Sequence, residues 1–281
     1  MDTQQRGYVL KGTSIEILHE VEKGRIRHAV FDFDGTLSLI RDGWQNVMVP
    51  MLVDVLLDAT PTTETREELE RIVVEFVDGL TGKQTIYQMI QLCEEIKKRD
   101  GVPKSPLDYK DLYNSLLLPI VDDRIATLEL GEIRAGDLRV PMSLEFLQSL
   151  RERGVTLYLS SGTDIEFVQH EAELLGVASC FDGGIFGALR AYKNFSKAMV
   201  IQKILTDFNL SGSELLIVGD GYVEIENAKA VGAIAVGVAS VENNRYRMNA
   251  DKRNRLIRAG ADILIPDFRE GARLLAYLFK E

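Results

Sequence analysis

Short apolar runs alternate with helix-spaced patterns in the second half of the chain. Buried strands are predicted in short segments of mostly apolar residues, at 155–159, 215–218, 233–238 and 262–265. Amphipathic helices are predicted between and after them, at 164–175, 197–208, 223–231 and 268–279. Alternation of this kind is typical of a doubly wound, Rossmann-like parallel sheet, so the predicted fold class is α/β.

The first half of the chain carries a different pattern. A buried strand is predicted at 27–31, and apolar positions then recur at helix spacing from 41 to 140. Thr65, followed closely by acidic residues, indicates a helix start within this region. The simplest architecture is an α/β core of residues 1–40 and 141–281, interrupted by a helical domain at 41–140. Residues 1–26 form an N-terminal extension, in which 14–18 predicts an edge strand or hairpin partner.

Charge and composition exclude several classes of function. The 281 residues carry a net charge of -10, which disfavours nucleic acid or an anionic membrane as a partner. No apolar segment approaches the roughly 20 residues of a membrane span, and no signal-peptide pattern opens the chain, so a cytoplasmic protein is predicted. Cys93 and Cys180 lie in no metal-binding spacing, and the sequence indicates no oligomeric state.

Two aspartates follow the predicted strand 27–31. Asp32 and Asp34 are two residues apart in extended backbone, so both side chains point the same way. Carboxylates this close raise each other's pKa unless a cation intervenes. One then suits a nucleophile and metal ligand, and the other a proton carrier. A solvated Asp-Gly turn is the alternative.

Small hydroxyl residues follow the strand 155–159. Ser160, Ser161 and Thr163 precede a predicted helix, where hydroxyls and backbone N–H groups form an anion site. Helix capping by Thr163 or Asp164 is the alternative interpretation.

A lysine and two more acids complete the set at the strand ends. Lys197 begins a predicted helix, where a cation is unfavourable by roughly 0.3–1 kcal/mol, so an anion is expected nearby. Lys193 is a competing candidate. Asp220 and Glu224 follow the strand 215–218, and carboxylate oxygens suit Mg²⁺. An ordinary acid in the first turn of a helix is the alternative for Glu224.

In the loops that follow its predicted strands, the sequence resembles the haloacid dehalogenase superfamily of phosphohydrolases. The first motif of that superfamily, D-x-D-G-T after an apolar strand, matches residues 32–36. The fourth motif, G-D-x-x-x-D, resembles residues 219–224, with Glu224 in place of the usual Asp. The strand ending at Ser160 resembles the second motif, and Lys197 resembles the third, with Lys193 as its alternate.

The resemblance implies a phosphatase that works through an aspartyl phosphate. Asp32 would attack phosphorus, and Asp34 would protonate the leaving oxygen and then activate water. The phosphoryl oxygens would be held by Ser160, the N–H of Ser161 and Lys197.

The resemblance also implies Mg²⁺ as the cofactor. The ion would be bound by Asp32, the backbone carbonyl of Asp34 and Asp220. Glu224 would act through water or by a contact outside the metal's own ligands.

The helical region 41–140 lies where the superfamily carries a cap that closes over the site and selects substrate. Trp44 and Lys83 are the candidate substrate contacts; a buried tryptophan and a solvated lysine are the alternatives. The expected substrate is a small phosphate monoester, such as a sugar phosphate or a phosphoglycolate-like compound. A phosphomutase is the close alternative, and a non-catalytic phosphometabolite-binding or regulatory protein is the alternative from another class.

A basic run follows the strand 233–238. Its members are Arg245, Arg247, Lys252, Arg253, Arg255 and Arg258. A solvated helix or loop is the structural interpretation of this run, and attraction of an anionic substrate is the functional interpretation.

Overall fold

The structure, a computed structural model, describes residues 7–241 and 247–281. The chain divides into two compact units, Met1–Ile40 with Ile133–Glu281, and Arg41–Glu132. Residues 133–140, which the sequence pattern places in the helical insertion, group with the first unit.

One mixed sheet organises the first unit. Its strands within the described residues are β1 (Tyr8–Val9), β2 (Glu16–Ile17), β3 (His28–Phe31), β4 (Thr156–Asp164), β5 (Gly184–Ala188), β6 (Leu215–Gly219), β7 (Ile234–Val238) and β8 (Ile263–Ile265). Their order is β1-β2-β8-β7-β6-β3-β4-β5. Strands β3 to β8 pair in parallel, and the hairpin β1–β2 joins antiparallel through β2 to β8.

The second unit consists of helices, and the first unit has helices of its own that cover its sheet. The second unit contains α1 (Trp44–Ala59), α2 (Arg66–Asp78), α3 (Ile86–Lys98) and α4 (Pro106–Glu129). The first unit contains α5 (Ser143–Glu152), α6 (Ile165–Leu174), α7 (Lys197–Asp207), α8 (Tyr222–Ala230), α9 (Ala250–Ala259) and α10 (Gly271–Phe279). The mostly parallel sheet with helices on both sides confirms the predicted α/β class. Within the described part of the chain, no helix combines the length and apolar character needed to cross a membrane.

The strand order places a topological switch point beside β3. This strand lies between β4 and β6, and the chain runs from β3 to β4 on one side before returning to β6 on the other. All four residues of β3 are buried, as expected for a central strand that is covered on both faces. Connections that leave β3 in opposite directions open a crevice at the carboxyl ends of β3, β4 and β6.

The helix start at Thr65 is confirmed. Its hydroxyl accepts from the backbone N–H of Glu68 at 3.2 Å, and the Glu68 carboxylate accepts from the backbone N–H of Thr65 at 2.8 Å. This reciprocal capping box satisfies two backbone donors that the first turn of α2 leaves without helical partners.

The hairpin predicted around residues 14–18 is also confirmed, but the sequence prediction lacks strand β5 and helix α5 and leaves α9 undecided. Strand β5 is rich in glycine and lies at the sheet edge, so it lacks the continuous apolar run of its neighbours. Helix α5 was not predicted, and α9 lies in the basic run, where a helix and a loop were not distinguished. Strand β4 continues to Asp164, beyond its predicted end at residue 159.

Candidate active site

The turn after β3 directs two carboxylates toward the crevice. The backbone N–H of Asp32 donates to the carbonyl of Val218 at 2.9 Å, which continues the β3–β6 pairing by one residue. Phe33 is completely buried, and its carbonyl accepts from the N–H of Leu37 at 2.8 Å. Because neighbouring residues in extended backbone point to opposite sides, Asp32 and Asp34 face away from the packed Phe33 ring.

A buried lysine joins two of the predicted acids. The Lys197 ammonium donates to Asp32 Oδ1 at 2.7 Å and also contacts Glu224 Oε1. The exposed fractions are 5% for Asp32, 7% for Lys197 and 3% for Glu224. Lys193 is exposed in the short turn before α7. Of the two candidate lysines, Lys197 is therefore the one beside Asp32.

Burial and the neighbouring charges act in opposite directions on the pKa values of Asp32 and Lys197. Burial raises the pKa of Asp32, Lys197 lowers it and Glu224 raises it further. Burial alone would lower the pKa of Lys197, but Asp32 and Glu224 outweigh that effect and hold its pKa above the usual value. Lys197 therefore stays charged and supplies a fixed positive charge next to Asp32.

Replacing Lys197 by methionine should destabilise the fold. The change leaves Asp32 and Glu224 buried without their shared cation, and loss of one partner of a buried ion pair typically costs about 3–5 kcal/mol. Chemical denaturation should show this loss in the free energy of unfolding. The double variant Lys197→Met/Glu224→Gln should recover part of it, and a double variant no more stable than the single one would contradict this arrangement of Lys197 between two buried acids.

Two hydroxyl groups hold the second aspartate. Asp34 Oδ2 accepts from Thr163 Oγ1 at 2.8 Å and from Ser161 Oγ at 3.2 Å. Ser161 Oγ in turn accepts from the backbone N–H of Thr163 at 3.0 Å. The alternative of capping by Thr163 or Asp164 is wrong, since α6 begins without a side-chain cap. Sequence reasoning noticed Thr163 but missed its role, because β4 extends past the loop in which a cap was expected.

The two serines of β4 differ in their surroundings. Ser161 contacts Asp34, whereas the hydroxyl of Ser160 is buried and has no hydrogen-bond partner within the described residues. Successive strand residues point to opposite faces, so only one of the two is expected to face Asp34. The predicted contact of Ser160 with phosphate stays a prediction, and Ser161 is the serine whose hydroxyl lies beside the carboxylate pair.

Two glycines make room for the acids that follow β6. Gly35 has φ +76°, and a Cβ added there would lie 2.2 Å from Asp220 Oδ2. A Cβ on Gly219 would lie 2.5 Å from Glu224 Cγ. Both distances are far below a normal contact. The absence of a side chain at Gly35 therefore allows Asp220 to approach the turn that carries Asp32 and Asp34.

Gly35→Ala should displace Asp220 and weaken any response to Mg²⁺. The left-handed backbone alone destabilises a non-glycine residue by roughly 1–3 kcal/mol. Gly154→Ala is the matched control, because Gly154 has φ +75° with nothing within 4 Å of an added Cβ. Both variants should lose thermal stability, but only Gly35→Ala should also need more Mg²⁺ for half-maximal activation. Equal Mg²⁺ responses in the two variants would contradict the close approach of Asp220.

The oxygen atoms in this crevice fit a Mg²⁺ ion. Within the described residues, no three His, Cys, Asp or Glu side chains converge as a metal cluster. Mg²⁺ usually takes one or two carboxylates and keeps several waters, so it does not require such a cluster. Asp34 Oδ1 and Glu224 Oε2 are buried without a hydrogen-bond partner in the described structure. Buried oxygens of this kind, beside Asp32 and Asp220, are consistent with a site that a hydrated cation completes.

Further polar residues border the same crevice. The Ser240 hydroxyl donates to the Gly35 carbonyl at 2.8 Å, and the Lys252 ammonium lies 2.9 Å from Asp220 Oδ2. Sequence reasoning missed Ser240, and it placed Lys252 only in the basic run. Arg245 of that run lies outside the described residues.

The two candidate substrate contacts lie in the helical unit. Trp44 begins α1 and is half-buried, and Lys83 is exposed in the turn between α2 and α3. Their contact with substrate stays a prediction.

Comparisons with known proteins identify the family to which the chain belongs. The family model described as haloacid dehalogenase-like hydrolase matches residues 26–232. No curated protein matches the chain.

Several solved structures share the fold. A beta-phosphoglucomutase from Clostridium difficile has a TM-score of 0.58 at 14% identity, covering 87% of this chain and 92% of that one. A predicted phosphoglycolate phosphatase from Haemophilus somnus has a TM-score of 0.55 at 16% identity, covering 89% and 98%. A phosphonoacetaldehyde hydrolase-like protein from Oleispira antarctica has a TM-score of 0.56 at 15% identity, covering 97% and 99%. At these identities the structures establish the fold, and the family match establishes membership: this chain belongs to the haloacid dehalogenase-like hydrolases.

Proposed function

We propose that this protein is a Mg²⁺-dependent phosphatase that hydrolyses a small-molecule phosphate monoester through a phosphoryl group carried on Asp32. A sugar phosphate or a phosphoglycolate-like compound is the expected substrate class. The observation that carries the proposal is the position of Asp32 at the switch point, hydrogen-bonded by the buried Lys197 at 2.7 Å, with Asp34 two residues away. Family membership supports hydrolysis in general terms.

In the first step, a carboxylate oxygen of Asp32 attacks phosphorus. The bond between phosphorus and the ester oxygen breaks, and Asp34 gives its proton to the departing alcohol. Lys197 offsets the negative charge of the phosphoryl oxygens, and its bond to Asp32 Oδ1 fixes the orientation of the nucleophile. The Ser161 hydroxyl already donates to Asp34, so Ser160, whose buried hydroxyl has no partner within the described residues, is the serine proposed to donate to a phosphoryl oxygen.

In the second step, water attacks the phosphorus of the aspartyl phosphate. Asp34 accepts a proton from this water, the bond from phosphorus to Asp32 breaks, and inorganic phosphate leaves. Thr163 and Ser161 both donate to Asp34 Oδ2, whereas Oδ1 has no partner within the described residues. Oδ1 is therefore the oxygen that carries the proton in both steps.

Three groups would hold Mg²⁺: the carboxylates of Asp32 and Asp220, and the backbone carbonyl of Asp34. The ion would supply positive charge that offsets the charge of the transferred phosphoryl group. Glu224 contributes differently, since its Oε1 contacts Lys197. It orients the lysine and would act on the metal through water.

A panel of phosphate monoesters tests the proposal. Each ester is incubated with the full chain in Mg²⁺ or in EDTA, and both inorganic phosphate and isomerised ester are measured. The expected result is phosphate release that requires Mg²⁺. Isomer formation without phosphate release would establish a phosphomutase instead, in which a substrate hydroxyl replaces water as acceptor. Binding of esters without turnover would overturn the enzymatic proposal in favour of a phosphometabolite-binding protein.

A further inference from the structure

A lysine from outside the recognised motifs reaches a proposed metal ligand. Lys252 lies in the first turn of α9, and its ammonium is 2.9 Å from Asp220 Oδ2 and 3.3 Å from Ser240 Oγ. Both side chains of the ion pair are mostly buried, with exposed fractions of 13% for Lys252 and 12% for Asp220. Screening by solvent is therefore weak compared with that of an exposed pair.

The backbone around Lys252 is fixed from both sides. Asn249 caps α9, and its Oδ1 accepts from the N–H groups of Asp251 and Lys252 at 3.0 Å each. The next residue, Arg253, forms a bidentate ion pair with Glu16 of β2, with a shortest distance of 2.7 Å. The N-terminal hairpin and the helix cap thus place Lys252 at the crevice.

The position of Lys252 is electrostatically unfavourable unless an anion compensates for it. A cation in the first turn of a helix opposes the helix dipole. Asp220 provides the compensating charge at Oδ2, which is also the oxygen that packs against Gly35. A Mg²⁺ ion at this turn would need the same Asp220 oxygen that Lys252 contacts, and the two cations would repel each other in a partly buried crevice. Lys197 differs, because it bonds Asp32 through Oδ1 and its charge is shared with Glu224.

We propose that Lys252 competes with Mg²⁺ for Asp220, so that metal binding requires this ion pair to open. The inference rests on the proposed function, because it takes Asp220 as a metal ligand. Lys252 would hold Asp220 in the absence of metal and would set the Mg²⁺ concentration at which the site fills. It is a residue that tunes the site and does not touch the reacting atoms.

Calorimetric titration of the full chain with MgCl₂, without substrate, tests this inference. Lys252→Met should bind Mg²⁺ at least about tenfold more tightly than the unsubstituted protein, because the competing charge is gone. Lys203→Met is the charge-matched control. Because Lys203 is exposed and pairs with Asp207, the Mg²⁺ affinity of this variant should stay within about twofold of that of the unsubstituted protein. Lys252→Arg retains the charge and should stay close to the unsubstituted protein.

The outcomes separate this inference from the proposed function. Equal or weaker Mg²⁺ binding by folded Lys252→Met would overturn the competition and would leave the phosphatase proposal standing. Absence of Mg²⁺ binding in every variant would overturn both the competition and the magnesium dependence. Should Lys252→Met fail to fold, Lys252→Gln, which keeps polar contact with Ser240, replaces it with the same expected gain in affinity.

Discussion

Asp32→Asn should abolish Mg²⁺-dependent phosphate release from an aryl phosphate, with a loss of at least about 10³-fold in kcat. The amide has nearly the shape of the carboxylate but is a poor nucleophile and lacks the charge that a metal requires. The fold should survive, because Lys197 keeps its second partner, Glu224. Steady-state kinetics together with circular dichroism measures both effects.

Asp207→Asn is the control for Asp32→Asn. Asp207 lies at the end of α7 and pairs with Lys203 on the surface. This variant should keep the activity of the unsubstituted protein. An Asp32→Asn protein that hydrolyses the aryl phosphate at an undiminished rate would remove Asp32 from the reaction.

Asp34→Asn should slow the two chemical steps unequally. Loss of a general acid–base group typically reduces the rate about 10²–10⁴-fold. An aryl phosphate has a good leaving group that needs little protonation, so its first step should survive better than its second. Stopped-flow measurement should then show a burst of aryl alcohol equivalent to the enzyme, followed by slow turnover. An alkyl phosphate should give no burst.

Thr163→Val is the control for Asp34→Asn. It removes the 2.8 Å donor to Asp34 Oδ2 and keeps the carboxylate. A smaller loss without a burst is expected, because proton transfer is disturbed but both steps retain their acid–base group. A burst in Thr163→Val, or none in Asp34→Asn, would contradict the assignment of Asp34 as the proton carrier.

The fold was predictable where apolar pattern and burial coincide. Strand β3 and strands β6 to β8 are short apolar runs, and each was recognised from the sequence because a central parallel strand is buried on both faces. Strand β5 was missed because an edge strand pairs on one side only and tolerates glycine and exposure. Its pairing with β4 is a long-range contact, which the local pattern of apolar residues does not predict.

The candidate site was predictable as a set of loops but not as a set of contacts. Parallel topology brings the ends of β3, β4 and β6 together, so the positions of Asp32 and Asp220 directly after β3 and β6 were enough to predict that these residues share one crevice. The direction in which a single side chain points could not be predicted from the order of the strands. Ser161 contacts Asp34 because β4 continues through residues 160–164 with a change of register.

Lys252 shows a second limit of sequence reasoning. Its neighbours in the basic run are also cationic, and nothing in the composition distinguishes it from Arg253. The difference arises from the direction of each side chain on α9. One reaches Asp220 at the crevice, and the other pairs with Glu16 on the hairpin.

The central claim is that Asp32 carries the phosphoryl group. Asp34→Asn protein is incubated with Mg²⁺ and 4-nitrophenyl phosphate, quenched in acid and digested, and its peptides are examined by mass spectrometry. The account predicts one added phosphoryl group on the peptide that contains Asp32, located to that residue, and none in the Asp32→Asn/Asp34→Asn protein. A phosphoryl group on another residue, or turnover by the unsubstituted protein with no phosphorylated peptide in Asp34→Asn, would contradict it.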